Sequence, residues 1–398
     1  MNNLLYAQSG GPTAVINTTA LGVFETAINA NKFANIYAGL NGIEGILKET
    51  FYKIESDCDL SLLKQTPGAA FGSCRHNLTD YKNDDNEYKK IVEIFKKYQV
   101  THFLYNGGND SMETVLKLSN YFKEINFDCL VLGLPKTIDN DLLLTDHTPG
   151  YGSASKYIAT TFAQIAYDAR SYIKGRINIV EIMGRDTGWL TCASSLASLT
   201  GYGPDLIYIP EVSFELDKFE IKVSEIYKKN GHCFVAVSEG IKDKDGRFIS
   251  SLSSNDSFGH AQLGGVATYL SNYLTEKKYK TRSIELNLPQ RSFSTLISKV
   301  DSDEAYMCGK YGVLKILENE TGQMVVIERD DNKNYVTSCK LAPIEKIGGQ
   351  VRYVDYSYLN EEKNNVSKKF IDYALPLIQG EIDIKTKGGL PIFFKLNK

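Results

Sequence analysis

Short apolar runs alternate with stretches whose apolar positions recur at helical spacing over most of the chain. NLLYAQ (3–8) reads as a strand, and residues 14–28 place Val15, Ile16, Val23, Phe24, Ala27 and Ile28 on one helical face. Residues 86–98 repeat the helical pattern through Ile91, Ile94 and Phe95. HFLY (102–105) is the next strand, a helix over 112–122 follows, and CLVLGLP (129–135) is strand again. INIVEIM (177–183), LIYI (206–209), FVAV (234–237) and SIELNL (283–288) continue the series, with helices over 153–173 and 187–200. ERDDNKNY (328–335) reads as a surface excursion or hairpin, and 366–377 as a helix in an apolar tail. Short apolar strands between helices predict an α/β fold with a mainly parallel sheet covered on both faces. Ligands of such sheets gather where strands end at their carboxyl side. The loops after Ala7, Tyr105, Leu134, Met183 and Val237 all fall there.

Composition narrows this reading. With 398 residues, the chain is long enough for two α/β domains. A net charge of −3 advertises no nucleic-acid surface, so an anion site has to be a local cluster. Seven cysteines without a CxxC pair fit reduced thiols in a cytoplasmic protein better than a disulfide framework. His76, His102, His147, His232 and His260 lack ligand spacing, so no transition-metal site is expected. The N-terminal stretch lacks a basic leader and is interrupted by Gly10, Gly11 and Pro12, and no apolar run reaches membrane-spanning length. A cytoplasmic location is expected, with no membrane and no nucleic-acid partner.

The loops carry the candidate chemistry. Gly10 and Gly11 sit between a strand and a helix, where they serve a tight turn or let backbone amides approach a phosphate. The spacing is neither GxGxxG nor GxxxxGK[ST]. Gly107 and Gly108 stand before Asn109, Asp110 and Ser111, which either cap a helix or arrange a phosphate and Mg²⁺. LPKTIDND (134–141) sets Lys136, Asp139 and Asp141 at the end of a buried strand, where a carboxylate can take a proton beside a cation. Arg75, Arg176, Arg185, Arg282 and Arg291 lie at strand or turn ends, a pattern suited to phosphate recognition.

NGGNDS, PKTIDND, TPGYGSA, INIVEIMGRDTGWL, SEGI and PQRS together resemble the 6-phosphofructokinase family, in order and spacing, along about the first three hundred residues. The resemblance is nearer to its pyrophosphate-dependent branch. It implies two Rossmann-like domains, with mainly parallel sheets covered by helices and the active site in the cleft between them. Residues 1–148 plus 291–342 would handle pyrophosphate and Mg²⁺, and 149–290 plus 343–398 the sugar phosphate.

By the same resemblance, Asp139 takes the proton of the 1-hydroxyl of fructose 6-phosphate, and Arg75 reaches the transferring phosphoryl group. Thr137 and Ile138 lie near the sugar. Met183, Gly184, Arg185, Glu239 and Arg291 match sugar-phosphate contacts. Arg176 and Arg282 match arginines supplied by a neighbouring subunit, which implies a homodimer or homotetramer. Gly10, Gly11, Gly107, Gly108 and Ser111 would cradle pyrophosphate, and Asn109 and Asp141 would hold Mg²⁺.

Donor choice rests on two positions. ATP-using relatives typically carry glycine in place of Asp110 and often in place of Lys136. A carboxylate at 110 would repel a nucleotide α-phosphate by an energy on the order of several kcal/mol, while Lys136 neutralises pyrophosphate. Two departures are plain: Asn109 stands where the commoner pattern has aspartate, and Leu288 where many pyrophosphate-type relatives have tyrosine. Rival readings are an ATP-dependent or mixed-donor phosphofructokinase, one acting also on sedoheptulose 7-phosphate, and a non-catalytic regulatory subunit.

Overall fold

The computed structural model describes residues 2–252, 265–330 and 334–396. In chain order the strands of the two larger sheets are β1 (Asn3–Gln8), β2 (Asn35–Gly39), β3 (Phe51–Lys53), β4 (Val100–Gly107), β5 (Leu130–Pro135), β6 (Ile177–Ile182), β7 (Leu206–Tyr208), β8 (Cys233–Ser238), β9 (Thr281–Glu285), β10 (Gln323–Arg329) and β11 (Thr337–Pro343). They fall in two compact units. Unit 1 comprises Met1–Ser153, Arg291–Val351 and Gly380–Lys398, and unit 2 comprises Ala154–Gln290 and Arg352–Gln379.

Unit 1 is built on a seven-stranded sheet in the order β11-β10-β5-β4-β1-β2-β3. The run from β10 to β2 is parallel, while β3 and β11 pair antiparallel at the two edges. Alternate residues of the central strands feed opposite faces. Leu5, Ala7, Phe103, Tyr105 and Val131 pack with Ile91, Phe95, Met112, Val115 and Leu118 of the Asn86–Lys97 and Asn109–Glu124 helices. Leu4, Tyr6, Leu104 and Leu132 pack on the other face with Val23, Phe24, Cys308 and Ile316 of the Ile16–Ala30 and Lys299–Leu317 helices. Burial on both faces is why these strands read as near-continuous apolar runs. The two helices of the second face approach closely: a Cβ on Gly309 would lie 2.1 Å from the Thr19 carbonyl oxygen.

Unit 2 holds a four-stranded parallel sheet in the order β7-β8-β6-β9. Its core combines Ile177, Ile179, Val235 and Val237 with Phe219, Val223, Leu270 and Leu274 from helices. Among the described residues, no helix is long and apolar enough to cross a membrane.

The sequence reading did not include β2, β3, β10, β11 or the Lys299–Leu317 helix; its other differences are local, save one. The helix expected over 187–200 is α-helical only over Trp189–Ala193 and tightens to 3₁₀ over Ser194–Thr200. There the Ser194 and Thr200 hydroxyls donate to carbonyls three residues back, as suits a tighter coil. The strand expected over 283–288 stops at Glu285, and Asn287 adopts φ 48. The 328–335 excursion joins the antiparallel pair β10–β11, and its residues 331–333 lie outside the described residues.

The larger difference concerns boundaries. Segments 343–351 and 380–398, expected in the second domain, belong to unit 1. Gln65 Nε2 donates to the Lys385 and Ile392 carbonyls, and Phe394 packs on Phe71 at 5.9 Å between ring centroids. These contacts hold the tail to the first sheet's outer layer.

Candidate active site

In unit 1, the strands leave β1 toward β2 on one side and toward β4 on the other, so the topological switch point lies between β1 and β4. The loops after β1, β4 and β5 are consequently neighbours. Ser9 N donates to the Asn106 carbonyl at 2.9 Å, and Lys136 N to the Gly107 carbonyl at 3.0 Å. Gly10 N donates to the Cys74 carbonyl at 3.0 Å, and Ser73 Oγ to the Gly10 carbonyl at 2.6 Å, which brings exposed Arg75 beside the first loop.

The glycines here leave room for cations. A Cβ on Gly10, at φ 75, would stand 3.3 Å from Lys136 Nζ, and one on Gly11 would stand 3.2 Å from Arg291 Nη1. Gly107 is required differently, since its Cβ would lie 2.0 Å from Oγ of buried Ser111. Gly108 is the N-cap of the Asn109–Glu124 helix and no side chain caps that end. The helix start thus points free amides and partial positive charge outward. The helix begins three residues before the expected 112 and includes Asn109, Asp110 and Ser111 in its first turn. None of the three serves as its N-cap.

Lys136 is 2% exposed and its Nζ donates to the Gly11 carbonyl at 2.7 Å. Burial pushes its pKa down to about 8, the Asp139 and Asp141 carboxylates pull it back up, and Arg291 and Arg75 push it lower. An anion bound among these three cations would restore the full charge. Arg291, expected among the sugar contacts, lies in unit 1 on this phosphate-type turn.

The rest of the loop is tightly fastened. Asp139 N donates to Thr137 Oγ1 at 3.0 Å, and that hydroxyl in turn lies 3.4 Å from Asp139 Oδ2. Asn140 is fully buried at φ 56. Thr148 clamps both ends, its hydroxyl donating to the Thr137 carbonyl at 2.7 Å and its amide to Asn140 Oδ1 at 3.1 Å. Ile138 is buried and Asp141 half-buried.

The supports of this clamp were not singled out in the sequence. Asp301 Oδ1 accepts from Gly150 N at 2.8 Å and Oδ2 from Ser153 N at 2.9 Å. Burial pushes the Asp301 carboxyl up to about 6 against the pull of those donors. One turn along the same helix, Glu304 Oε2 accepts from His147 Nε2 at 2.7 Å, while His147 Nδ1 donates to Asp146 Oδ1 at 2.7 Å. Acids three residues apart on a helix were the only available signal, and that spacing is common on solvated faces.

His147 is therefore an imidazolium: burial alone would lower its pKa, but Glu304 and Asp146 outweigh it and raise the value to about 9. Because this folded value exceeds the unfolded 6.5, the stabilisation is complete below pH 6.5 and is lost as pH rises through 9. The shift corresponds to on the order of 3 kcal/mol. In urea unfolding, the stability gap between parent and His147→Gln should shrink by about that amount from pH 6.5 to 9.5. A pH-independent gap would show that the ring is not charged.

Unit 2 groups other candidates after β6 and β8. Gly184 sits at φ 146, its amide donating to Glu239 Oε1 at 3.3 Å and its carbonyl accepting from Ser238 Oγ. A Cβ there would fall 2.5 Å from the Thr187 carbonyl oxygen. Met183 N donates to Gln290 Oε1 at 3.1 Å, and exposed Arg185 places its guanidinium 5.8 Å from the Phe248 ring centroid. Leu288, between β9 and Arg291, is 56% exposed.

Glu181 was missed because it lies inside the apolar run. Burial, with Glu285 and Glu239 nearby, pushes it up to about 7, and it holds the Gly265 and Ala267 amides.

Arg176 and Arg282 do not join this group. Arg176 precedes β6, and Arg282 lies near the start of β9, opposite Asn178. Met183 follows the other end of β6, roughly 20 Å away at strand rise.

The 136–141 loop offers oxygen donors suited to a divalent cation. Asp141 offers a hard carboxylate oxygen near Lys136, and Mg²⁺ commonly takes one or two carboxylates with waters and phosphate oxygens. The residues fit that habit. Among the described residues, no three His, Cys, Asp or Glu side chains are grouped as a metal cage. Asn109 has both ends of its amide engaged elsewhere: Oδ1 accepts from Gly349 N at 2.8 Å, and Nδ2 donates to the Gln350 carbonyl.

Fold and loops thus define a two-unit α/β protein with glycine turns and a buried lysine at a switch point. A phosphofructokinase profile matches residues 3–301, and the chain belongs to the phosphofructokinase family. It is 40% identical to the pyrophosphate–fructose 6-phosphate 1-phosphotransferase of Xanthomonas campestris, covering 99% of this chain and 96% of the relative. Identity to the protein of that name from Halomonas elongata is 36%, over 100% and 96%. The crystal structure of a pyrophosphate-dependent phosphofructokinase from Nitrosospira multiformis superposes with a TM-score of 0.90 at 35% identity, covering 99% of this chain and 96% of that one.

Proposed function

We propose that the protein transfers a phosphoryl group from pyrophosphate to the 1-hydroxyl of fructose 6-phosphate, reversibly, giving fructose 1,6-bisphosphate and phosphate in glycolysis or gluconeogenesis. Full-length similarity to transferases of that name supports the reaction. The observation that carries the donor assignment is Lys136, a buried cation on the Gly10–Gly11 turn beside two arginines. A buried lysine of depressed pKa gains most from a compact, highly charged anion.

Phosphoryl transfer is mainly positioning and charge stabilisation. Asp139 accepts the hydroxyl proton, with Thr137 orienting its carboxylate. Lys136, Arg75 and Arg291 face the phosphates, with the Gly107–Gly108 amides and Ser111 at the helix start. Mg²⁺ would be held by Asp141 with substrate oxygens and waters, and would supply charge neutralisation on the phosphates. Met183, Gly184, Arg185 and Glu239 receive the sugar phosphate. Arg176 and Arg282, at the amino ends of their strands, serve the sugar 6-phosphate of a neighbouring copy, so the working enzyme is a homo-oligomer in the cytoplasm.

The test is purified protein with fructose 6-phosphate, Mg²⁺ and either pyrophosphate or ATP. Turnover is expected with pyrophosphate; turnover with ATP alone would overturn the donor assignment. Asp110→Gly should weaken pyrophosphate use and begin to admit ATP, because it removes a charge at the first helix turn. Unaltered donor preference in that variant would mean Asp110 plays no part in exclusion.

A further inference from the structure

Asn109 occupies a place where the family more often has aspartate, and the structure gives the amide a task that an aspartate cannot perform. Its oxygen accepts from Gly349 N and its nitrogen donates to the Gln350 carbonyl. An aspartate could accept from the first but would set a carboxylate oxygen against the second. The segment so held is also seated by packing. Ile344 and Ile347 are buried in the core cluster that contains Met112 and Val115. Gly348 lies so close that a Cβ on it would fall 3.2 Å from Glu113 Cα. Gly349, at φ 74, turns the chain back toward Asn109.

We propose that Asn109 is a specificity-determining residue rather than a metal ligand: it tethers the 347–351 segment as a backbone ledge beside Asp110 and so closes the donor site behind the second phosphate. This rests on the donor reading above. A diphosphate seated at the helix start needs no surface beyond it, whereas a nucleoside triphosphate needs open surface there for its third phosphate, ribose and base. Asp110 opposes it by charge, and the Gly349–Gln350 backbone by occupying the neighbouring surface. The two barriers are independent, so removing Asp110 alone opens the site only in part.

The experiment places Asn109→Ala and Asn109→Asp in the parent and in Asp110→Gly, and reads three quantities. These are hydrogen exchange of the 344–351 amides, kcat/KM with pyrophosphate and with ATP, and thermal stability to confirm folding. Losing one or two hydrogen bonds should raise exchange in 344–351 about tenfold in both Asn109 variants. The ATP-to-pyrophosphate ratio of kcat/KM should rise about a further tenfold in Asp110→Gly/Asn109→Ala over Asp110→Gly alone. Equal ratios in those two variants would overturn the ledge. Unchanged exchange with a tighter Mg²⁺ requirement in Asn109→Asp would overturn the tether and make the residue a metal-site group. A parent that uses ATP and not pyrophosphate would refute the donor reading and with it the ledge's role in exclusion. Exchange in the Asn109 variants would still decide the tether by itself.

Discussion

Asp139→Ala should lower kcat by about 10³-fold while the affinity for fructose 6-phosphate stays within a factor of about two. The carboxylate is half-buried on a loop that cannot drift: its amide is tied to Thr137, and the loop's carbonyl and Asn140 side chain are tied to Thr148. Such fastening holds a base at one position. It also means that truncating the side chain removes the proton acceptor without releasing the backbone. Sugar binding depends on other residues, so the loss belongs in kcat. Steady-state kinetics together with isothermal titration of the sugar phosphate separates the two, and an unchanged kcat would remove Asp139 from the base's role.

Lys136→Met should cost about 10²- to 10³-fold in kcat/KM for pyrophosphate, the scale typical of deleting one preorganised electrostatic contact. Stability should hardly change or should rise slightly, because methionine fills similar volume without a buried charge to desolvate. The residue's depressed pKa adds a signature. With a free-enzyme value near 8, the protonated, anion-binding form declines above that pH. The parent's kcat/KM for pyrophosphate should therefore fall as pH rises past about 8, and this limb should be missing in Lys136→Met. The kcat profile should be flatter there, since bound anion restores the lysine's charge. A variant with parental kcat/KM and the same alkaline limb would place another group at the phosphate.

Much of the candidate site was legible beforehand because its residues are close in sequence. Gly107 to Ser111 form one strand-to-helix junction and Lys136 to Asp141 one loop, and alternation of strands and helices puts both at the carboxyl end of the sheet. What spacing could not reveal are bonds over long separations. Asn109 read as a possible metal ligand because its partners lie some 240 residues later. Asp301 and Glu304 carried no sequence signal of their own, yet they hold the segment that clamps the Asp139 loop. Arg291 read as a sugar contact from its motif, and the fold sets it against Gly11.

By itself, then, the sequence determined the alternation of strands and helices, the mainly parallel sheets and which loops carry the candidate chemistry. Apolar periodicity and local turn residues act over a few positions and survive without knowledge of the rest of the chain. Only the tertiary structure decided the charge state and surroundings of those loops. Burial makes Lys136 a lysine with a pKa near 8, and pairing across 157 residues makes His147 a cation. The same holds for Arg176 and Arg282. Their residue type suggested phosphate, but the direction of β6 and β9 sets them at the edge opposite Met183 and Arg185. Desolvation and strand direction are properties of the packed chain, and no local pattern encodes them.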